Sequence, residues 1–122
     1  MWPVRAAILV MAGGAAGAAS RWTVHELVPV ADGGFPWSTF AVNVVGCLLV
    51  GLAARHVARN SDLWAGLVVG VLGGLTTFST FAVETRVLIA DGHPRTAIAY
   101  VAATMIVGIA ATELARSGRR SA

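Results

Sequence analysis

The chain contains no lysine. Its nine basic residues are all arginine, six residues are acidic, and charged residues amount to 12% of 122. A soluble domain carries about twice that share, roughly 25%. Hydrophobic residues make up 57%, and mean hydropathy is +0.74. So little charge points to a membrane protein, and the length leaves room for one domain. Without lysine, the glycine-rich stretch at Gly73-Gly74 cannot be a Walker phosphate loop. Neither a nucleophile elbow nor an HExxH pair occurs, so nothing in the motifs suggests an enzyme. The single cysteine, Cys47, excludes an internal disulfide and stands in an apolar run with no His or Cys at metal-ligand spacing. The net charge of +3 comes from arginines scattered singly, without interleaved aromatics. That pattern argues against nucleic acid as a partner and for basic flanks in a lipid bilayer.

What the chain does have is long apolar runs, from Val4 to Trp22, Phe40 to Ala54, Leu63 to Ala90 and Thr96 to Leu114. About 20 residues are needed to cross the hydrocarbon core. With their flanks the runs read as spans over about 4-26, 38-57, 63-90 and 95-116, within one transmembrane domain covering 1-122. The expected fold class is therefore an all-α membrane protein with four transmembrane helices. The third run is long enough to contain a break. The linkers are short: Pro29 to Trp37 carries two prolines and Gly33-Gly34, Arg55 to Asp62 is charged, and Asp91 to Pro94 is a turn. The first run also fits a signal peptide, with Arg5, an apolar stretch and Ala16-Gly17-Ala18. Against that, it leads straight into Ser20-Arg21-Trp22, and its removal would strip one of only four apolar segments.

Charge bias sets orientation. In a four-span arrangement Arg5, Arg55, Arg59, Arg116, Arg119 and Arg120 lie on one side. Only Arg95 lies clearly on the other, with Arg21 and Arg86 near span ends. Both termini are therefore expected in the cytoplasm, with the protein multi-pass in the cell inner (cytoplasmic) membrane. Glycines recur every four residues at Gly66, Gly70 and Gly74, and again at Gly13 and Gly17, a spacing that lets helix backbones approach in lipid. Such stripes serve packing within one subunit or a dimer interface. Four short helices enclose little volume, which favours an oligomer.

The anomalous segment is Gly73-Gly74-Leu75-Thr76-Thr77-Phe78-Ser79-Thr80-Phe81-Ala82-Val83-Glu84, polar sequence with apolar sequence on both sides. At membrane depth such groups are tolerated only where protein buries them or a wet path runs past. Gly73-Gly74 before Thr76-Thr77 fits a helix break, whose freed carbonyls can coordinate a cation, or a mere kink. Phe78 and Phe81, three apart, share one side of a helix. Their electropositive ring edges can contact a small dehydrated anion without the full charge that would trap it. Asn43, the strongly polar residue of the second run, reads either as an interhelical hydrogen bond or as a pore-facing donor. Glu84 is a functional candidate by default, or an interfacial partner of Arg21 or Arg86. Tyr100, Thr104 and Gly108 share a face of the fourth run, where Tyr100 suits a polar track or an interfacial belt equally.

Three strings carry a resemblance to a known family: Gly73 to Glu84, the Gly13-Gly14-Ala15-Ala16-Gly17-Ala18-Ala19-Ser20-Arg21 stretch, and Thr39-Phe40-Ala41-Val42-Asn43-Val44-Val45-Gly46. Together they resemble the Fluc (CrcB) fluoride channel family over nearly the whole chain, and the GGLTTFSTF string is the specific one. The resemblance implies an antiparallel (dual-topology) dimer of four-helix subunits with two fluoride pores, exporting fluoride passively. It implies that Phe78 and Phe81 are the aromatic anion ligands and Asn43 a pore donor. Ser79, Thr80 and Thr104 would lie on or beside the polar track, with Tyr100 facing it and Glu84 near a pore end. The carbonyls of Gly73 and Thr76 would hold a structural sodium ion at the dimer interface, and Arg21 would end the first helix at a vestibule. The fourth run departs from the family pattern by placing Ile106 and Gly108 where more hydroxyls are usual. The arginine bias also departs from the balance that a dual-topology homodimer needs, which leaves homodimer or heterodimer with a related subunit open. The alternatives are a small multidrug-type proton-coupled exporter, for which Glu84 is the one mid-chain carboxylate, and a non-conducting subunit of a heteromeric assembly.

Overall fold

A computed structural model describes residues 3–118, so Arg119 and Arg120 lie outside the described residues. Among these, all regular structure is helical. Helix α1 runs Val4–Leu27, α2 runs Trp37–His56 and α4 runs Pro94–Ser117. The third helix, α3, covers Trp64–Ala90 in two halves. Its first half winds as a π-helix over Trp64–Leu72 and closes with one α-turn, Gly73–Leu75. Thr76 then turns extended (φ −80°, ψ 155°), and the second half is Ser79–Ala90. Gly92 ends it in the left-handed conformation (φ 84°), with His93 N–H donating to Leu88 C=O at 2.7 Å. Proline in the first turn then starts α4.

Three helices, Trp37–His56, Trp64–Ala90 and Pro94–Ser117, are long and apolar enough to cross a membrane. α1 is not among them, because alanine and glycine add little hydropathy and Arg5 and Arg21 subtract from it. Its 24 residues nevertheless extend about 36 Å, at about 1.5 Å per residue. They run parallel to α3, from the Arg5–Asp62 ion pair (2.6 Å) past Gly17 beside Val71 and Leu75. The glycine stripes are thus used inside the subunit. A Cβ on Gly13 would strike the Gly66 carbonyl, one on Gly17 the Val71 carbonyl, and one on Gly74 the Gly14 carbonyl. α2 pairs with α4 in the same parallel sense, with Gly51 against Thr112 and Ala115.

The two pairs touch each other sparingly. The small core where the second pair meets the C-terminal half of α3 is Phe81, Leu88, Ala97 and Tyr100, flanked by Phe35, Phe40 and Val101. Only 17–33% of each apolar window is buried, so lipid or another chain must cover the rest.

The close approach of α1 and α3 gives a test. Gly17→Ala would overpack backbone against backbone, costing about 1–3 kcal/mol. Gly66→Ala meets nothing nearer than 3.4 Å. The thermal midpoint of the detergent-solubilised protein is expected to fall clearly for G17A and to hold or rise for G66A.

Candidate functional site

The break is held by one side chain. Asn43 Nδ2 donates to the Thr77 carbonyl at 2.9 Å, and Thr77 N–H donates to Asn43 Oδ1 at 2.8 Å. Asn43 thus satisfies both backbone groups of a buried non-helical residue, where an unpaired group costs about 1–3 kcal/mol. One N–H of the amide remains for another partner. Gly46, one turn further along α2, makes room for the break, since a Cβ there would collide with the Thr76 methyl.

This pairing also frees carbonyls. In a continuous helix Thr77 N–H would close on Gly73 C=O, and Thr80 N–H on Thr76 C=O. Here Thr77 donates to Asn43, and Thr80 N–H donates to Thr77 Oγ1 at 3.1 Å. The Gly73 and Thr76 carbonyls are thus among those whose helical donors are diverted at the break, and hard oxygen donors of this kind suit a small cation. Thr77 Oγ1 also donates to Thr80 Oγ1 (3.1 Å) and lies 3.3 Å from Ser79 Oγ.

Beside the break opens a groove of about 350 Å³. Asn43, Phe78, Phe81 and Thr104 line it together, as do Thr76, Thr77, Cys47 and Thr112. The Phe78 and Phe81 ring centres are 5.9 Å apart and inclined at 43°. Phe81 is buried against Tyr100, at 5.1 Å, whereas Phe78 is 76% exposed. The Thr104 hydroxyl is buried without a protein hydrogen bond. Among the described residues, no full charge lines this groove.

Other predicted residues stand apart from it. Thr80 and Arg21 line a hollow of about 280 Å³ with Trp22 and His25. Glu84 and Thr80 border a cavity of about 340 Å³ that also holds His25, Asp32, Asp91 and His93. Glu84 pairs with neither Arg21 nor Arg86; its Oε1 accepts from Thr39 Oγ1 at 2.5 Å, and Thr39 in turn contacts His25 Nε2 at 3.0 Å. α1 thus presents His25, one turn beyond Arg21, to the carboxylate's partner. Tyr100 is fully buried, which removes the interfacial-belt reading. Ser79 is exposed. The fourth helix supplies a hydroxyl that sequence reasoning passed over: Thr112 faces the groove, while Ile106 is 68% exposed and absent from its lining. Thr112 Oγ1, however, donates to the Gly108 or Cys47 carbonyl, at 3.0 and 3.2 Å. Thr39 stood in the quoted strings without a role, and Thr77 was read only as part of the break. Their importance lies in partners more than 30 residues away in sequence.

Paired helices, a discontinuous third helix and a groove at its break define a small helical membrane protein with a polar discontinuity inside one of its apolar helices. The profile of the family described as CrcB-like protein, Camphor Resistance (CrcB), matches residues 8–116, and the chain belongs to that family. It is 47% identical over 104 residues to a protein of Streptomyces avermitilis named fluoride-specific ion channel FluC 2. That match covers 80% of this chain and 64% of the relative. A Streptomyces coelicolor relative, named fluoride-specific ion channel FluC 1, is 43% identical over 122 residues, covering 93% and 78%. One from Methylobacillus flagellatus, named fluoride-specific ion channel FluC, is 40% identical over 108 residues, covering 84% of each. All three relatives carry the name of an ion channel.

Asn43→Ala would leave the Thr77 N–H and carbonyl unpaired, costing about 1–3 kcal/mol for each buried group. The mutant is expected to lose thermal stability and to exchange the Thr77 amide hydrogen faster. Unchanged exchange would mean that the clamp is dispensable.

Proposed function

We propose that the chain is a subunit of a fluoride-selective channel that lets fluoride leave the cytoplasm passively and so lowers its concentration there. The observation that carries this reading is the groove, where Asn43, Phe78, Phe81 and Thr104 converge in a member of a family with relatives named fluoride-specific channels. Fluoride is small and gives up water reluctantly. The groove offers substitutes that are individually weak: phenyl edges, an amide N–H and a hydroxyl. Weak sites in series let an ion enter and leave, whereas an arginine in the groove would hold it.

In this reading all four helices cross the cell inner membrane, α1 doing so beside α3. Two subunits of opposite orientation meet to bury the apolar surface that one subunit leaves open. The Gly73 and Thr76 carbonyls would hold a sodium ion, which when bound supplies a positive centre that ties the breaks of the two subunits together. Arg21 lines a hollow with Thr80, from which its charge would draw anions towards the path. Ser79, Thr80, Tyr100 and Glu84 belong to the ends and walls of the path.

Vesicles containing the purified protein are expected to release fluoride. Phe78→Ile or Phe81→Ile should lower that rate at least about tenfold, equivalent to about 1.4 kcal/mol of barrier. Flux unaffected by either change would favour residues that only pack.

The arginine asymmetry generates a separate expectation. The chain inserts mainly one way, with both termini in the cytoplasm, and pairs with a related subunit of opposite bias. Mapping both termini in cells that express this chain alone checks it; equal populations of two orientations would sink the heterodimer and leave a homodimer.

A further inference from the structure

His25 and Glu84 meet at Thr39, and the protons of the three groups can be counted. His25 Nδ1 lies 2.9 Å from the Arg21 carbonyl, which can only accept, so Nδ1 carries a hydrogen. His25 Nε2 lies 3.0 Å from Thr39 Oγ1, and Thr39 Oγ1 donates to Glu84 Oε1 at 2.5 Å. A hydroxyl has one proton. Once that proton is given to Glu84, Thr39 can only accept from the ring, so Nε2 must also carry hydrogen and His25 is an imidazolium. The reverse arrangement places the proton on Glu84, which donates to Thr39, and Thr39 then donates to a neutral His25. Both arrangements hold the same protons and are neutral overall. They interconvert by two hops through Thr39 Oγ1, which is completely buried.

We infer that His25, Thr39 and Glu84 form a proton-binding site that holds one proton in common, and that loss of this proton to water slows the anion path beside it. The second half of this inference rests on the channel reading above. Without the shared proton, Thr39 can satisfy only one neighbour. A carboxylate is the stronger acceptor, so the bond to His25 is given up. Glu84 is left as an uncompensated negative charge, and its Oε2 is already buried without a partner. The other charged or titratable groups facing the triad are Arg21 on α1, Asp32 in the α1–α2 loop, Asp91 and His93 in the α3–α4 turn, and Tyr100 on α4. Arg21 is the one permanent cation among them, and it forms no ion pair with Glu84. Conduction of an anion therefore falls as pH rises through the titration of the triad, because a net negative site repels it.

Two measurements on the full chain test this. The first follows the ring 15N signals of His25 with pH, assigned by their disappearance in His25→Gln. Glu84→Gln should shift the midpoint of that titration, and an unmoved midpoint overturns the shared proton. The second follows fluoride efflux from vesicles between about pH 5 and about pH 8, where histidine changes charge, after subtraction of protein-free leak. The wild-type rate should fall with pH, and His25→Gln, which keeps an N–H donor but cannot titrate, should lose that dependence. Identical pH profiles overturn the link to transport. A wild-type protein that passes no fluoride at any pH defeats the channel reading instead, while the ring titration still decides the proton site.

Discussion

The structure depends on the pairing of one amide side chain with one backbone residue. A helix that breaks inside a bilayer must find new partners for the groups it releases, because lipid offers none. Asn43 supplies both partners for Thr77 in one rigid, planar contact. Everything at the break follows from it. Thr77 is buried, its hydroxyl turns to cap the second half of α3 through Thr80 N–H, and the carbonyls of Gly73 and Thr76 lose their helical donors. Phe78 is released from helical packing and left exposed, while Phe81, one turn later, is pressed onto Tyr100. A hydrogen bond that reads as merely structural thus sets the geometry of the candidate ion path.

The break also explains why the helix pairs are so loosely joined. α1 holds the first half of α3 through glycine stripes, which need backbone contact along a straight stretch. α2 and α4 hold each other, and the aromatic cluster around Tyr100 holds the second half of α3. The discontinuity falls where responsibility for α3 passes from α1 to the second pair. A continuous helix would carry the Gly66–Gly74 stripe onward into residues that have no glycine to match it. Changing direction at Thr76 lets each half follow its own partner.

Much of this was legible in the chain and some was not, for physical reasons. Two glycines and four hydroxyls inside an apolar run announce a buried polar break, because lipid forbids the alternative. The glycine spacing was equally plain, but it could not say whether the stripe serves a neighbour helix or a second subunit, since both present the same small surface. The clamp left no local trace: Asn43 and Thr77 are 34 residues apart, and one partner is backbone. Glu84 was matched to the nearest arginines on charge alone. Helical geometry places His25, four residues after Arg21, against the Thr39 that holds the carboxylate. Thr112 continues the four-residue series of Tyr100, Thr104 and Gly108 and so was legible in the spacing, whereas Ile106, two residues from Thr104, falls on the opposite side of the helix.

One face of α2 accounts for the order of these contacts. Thr39, Asn43 and Gly46 fall on a single stripe at helical spacing, and each meets α3 at a different level. Gly46 admits Thr76, Asn43 clamps Thr77, and Thr39 reaches Glu84 two turns further along the second half. The stripe runs antiparallel to α3, so ascending numbers on one helix meet descending numbers on the other. Because the three contacts share one rigid helix, a rotation of α2 that loosened Thr39 from Glu84 would also pull on the Asn43 clamp. Charge at the Glu84 end and backbone geometry at the break are therefore mechanically joined, although the two sites open on different sides of α3. That separation also serves an uncharged groove: the arginine, histidine and carboxylates stand behind α3. In the proposed channel their field would act on an ion beside the aromatic rings although none of them lines the groove.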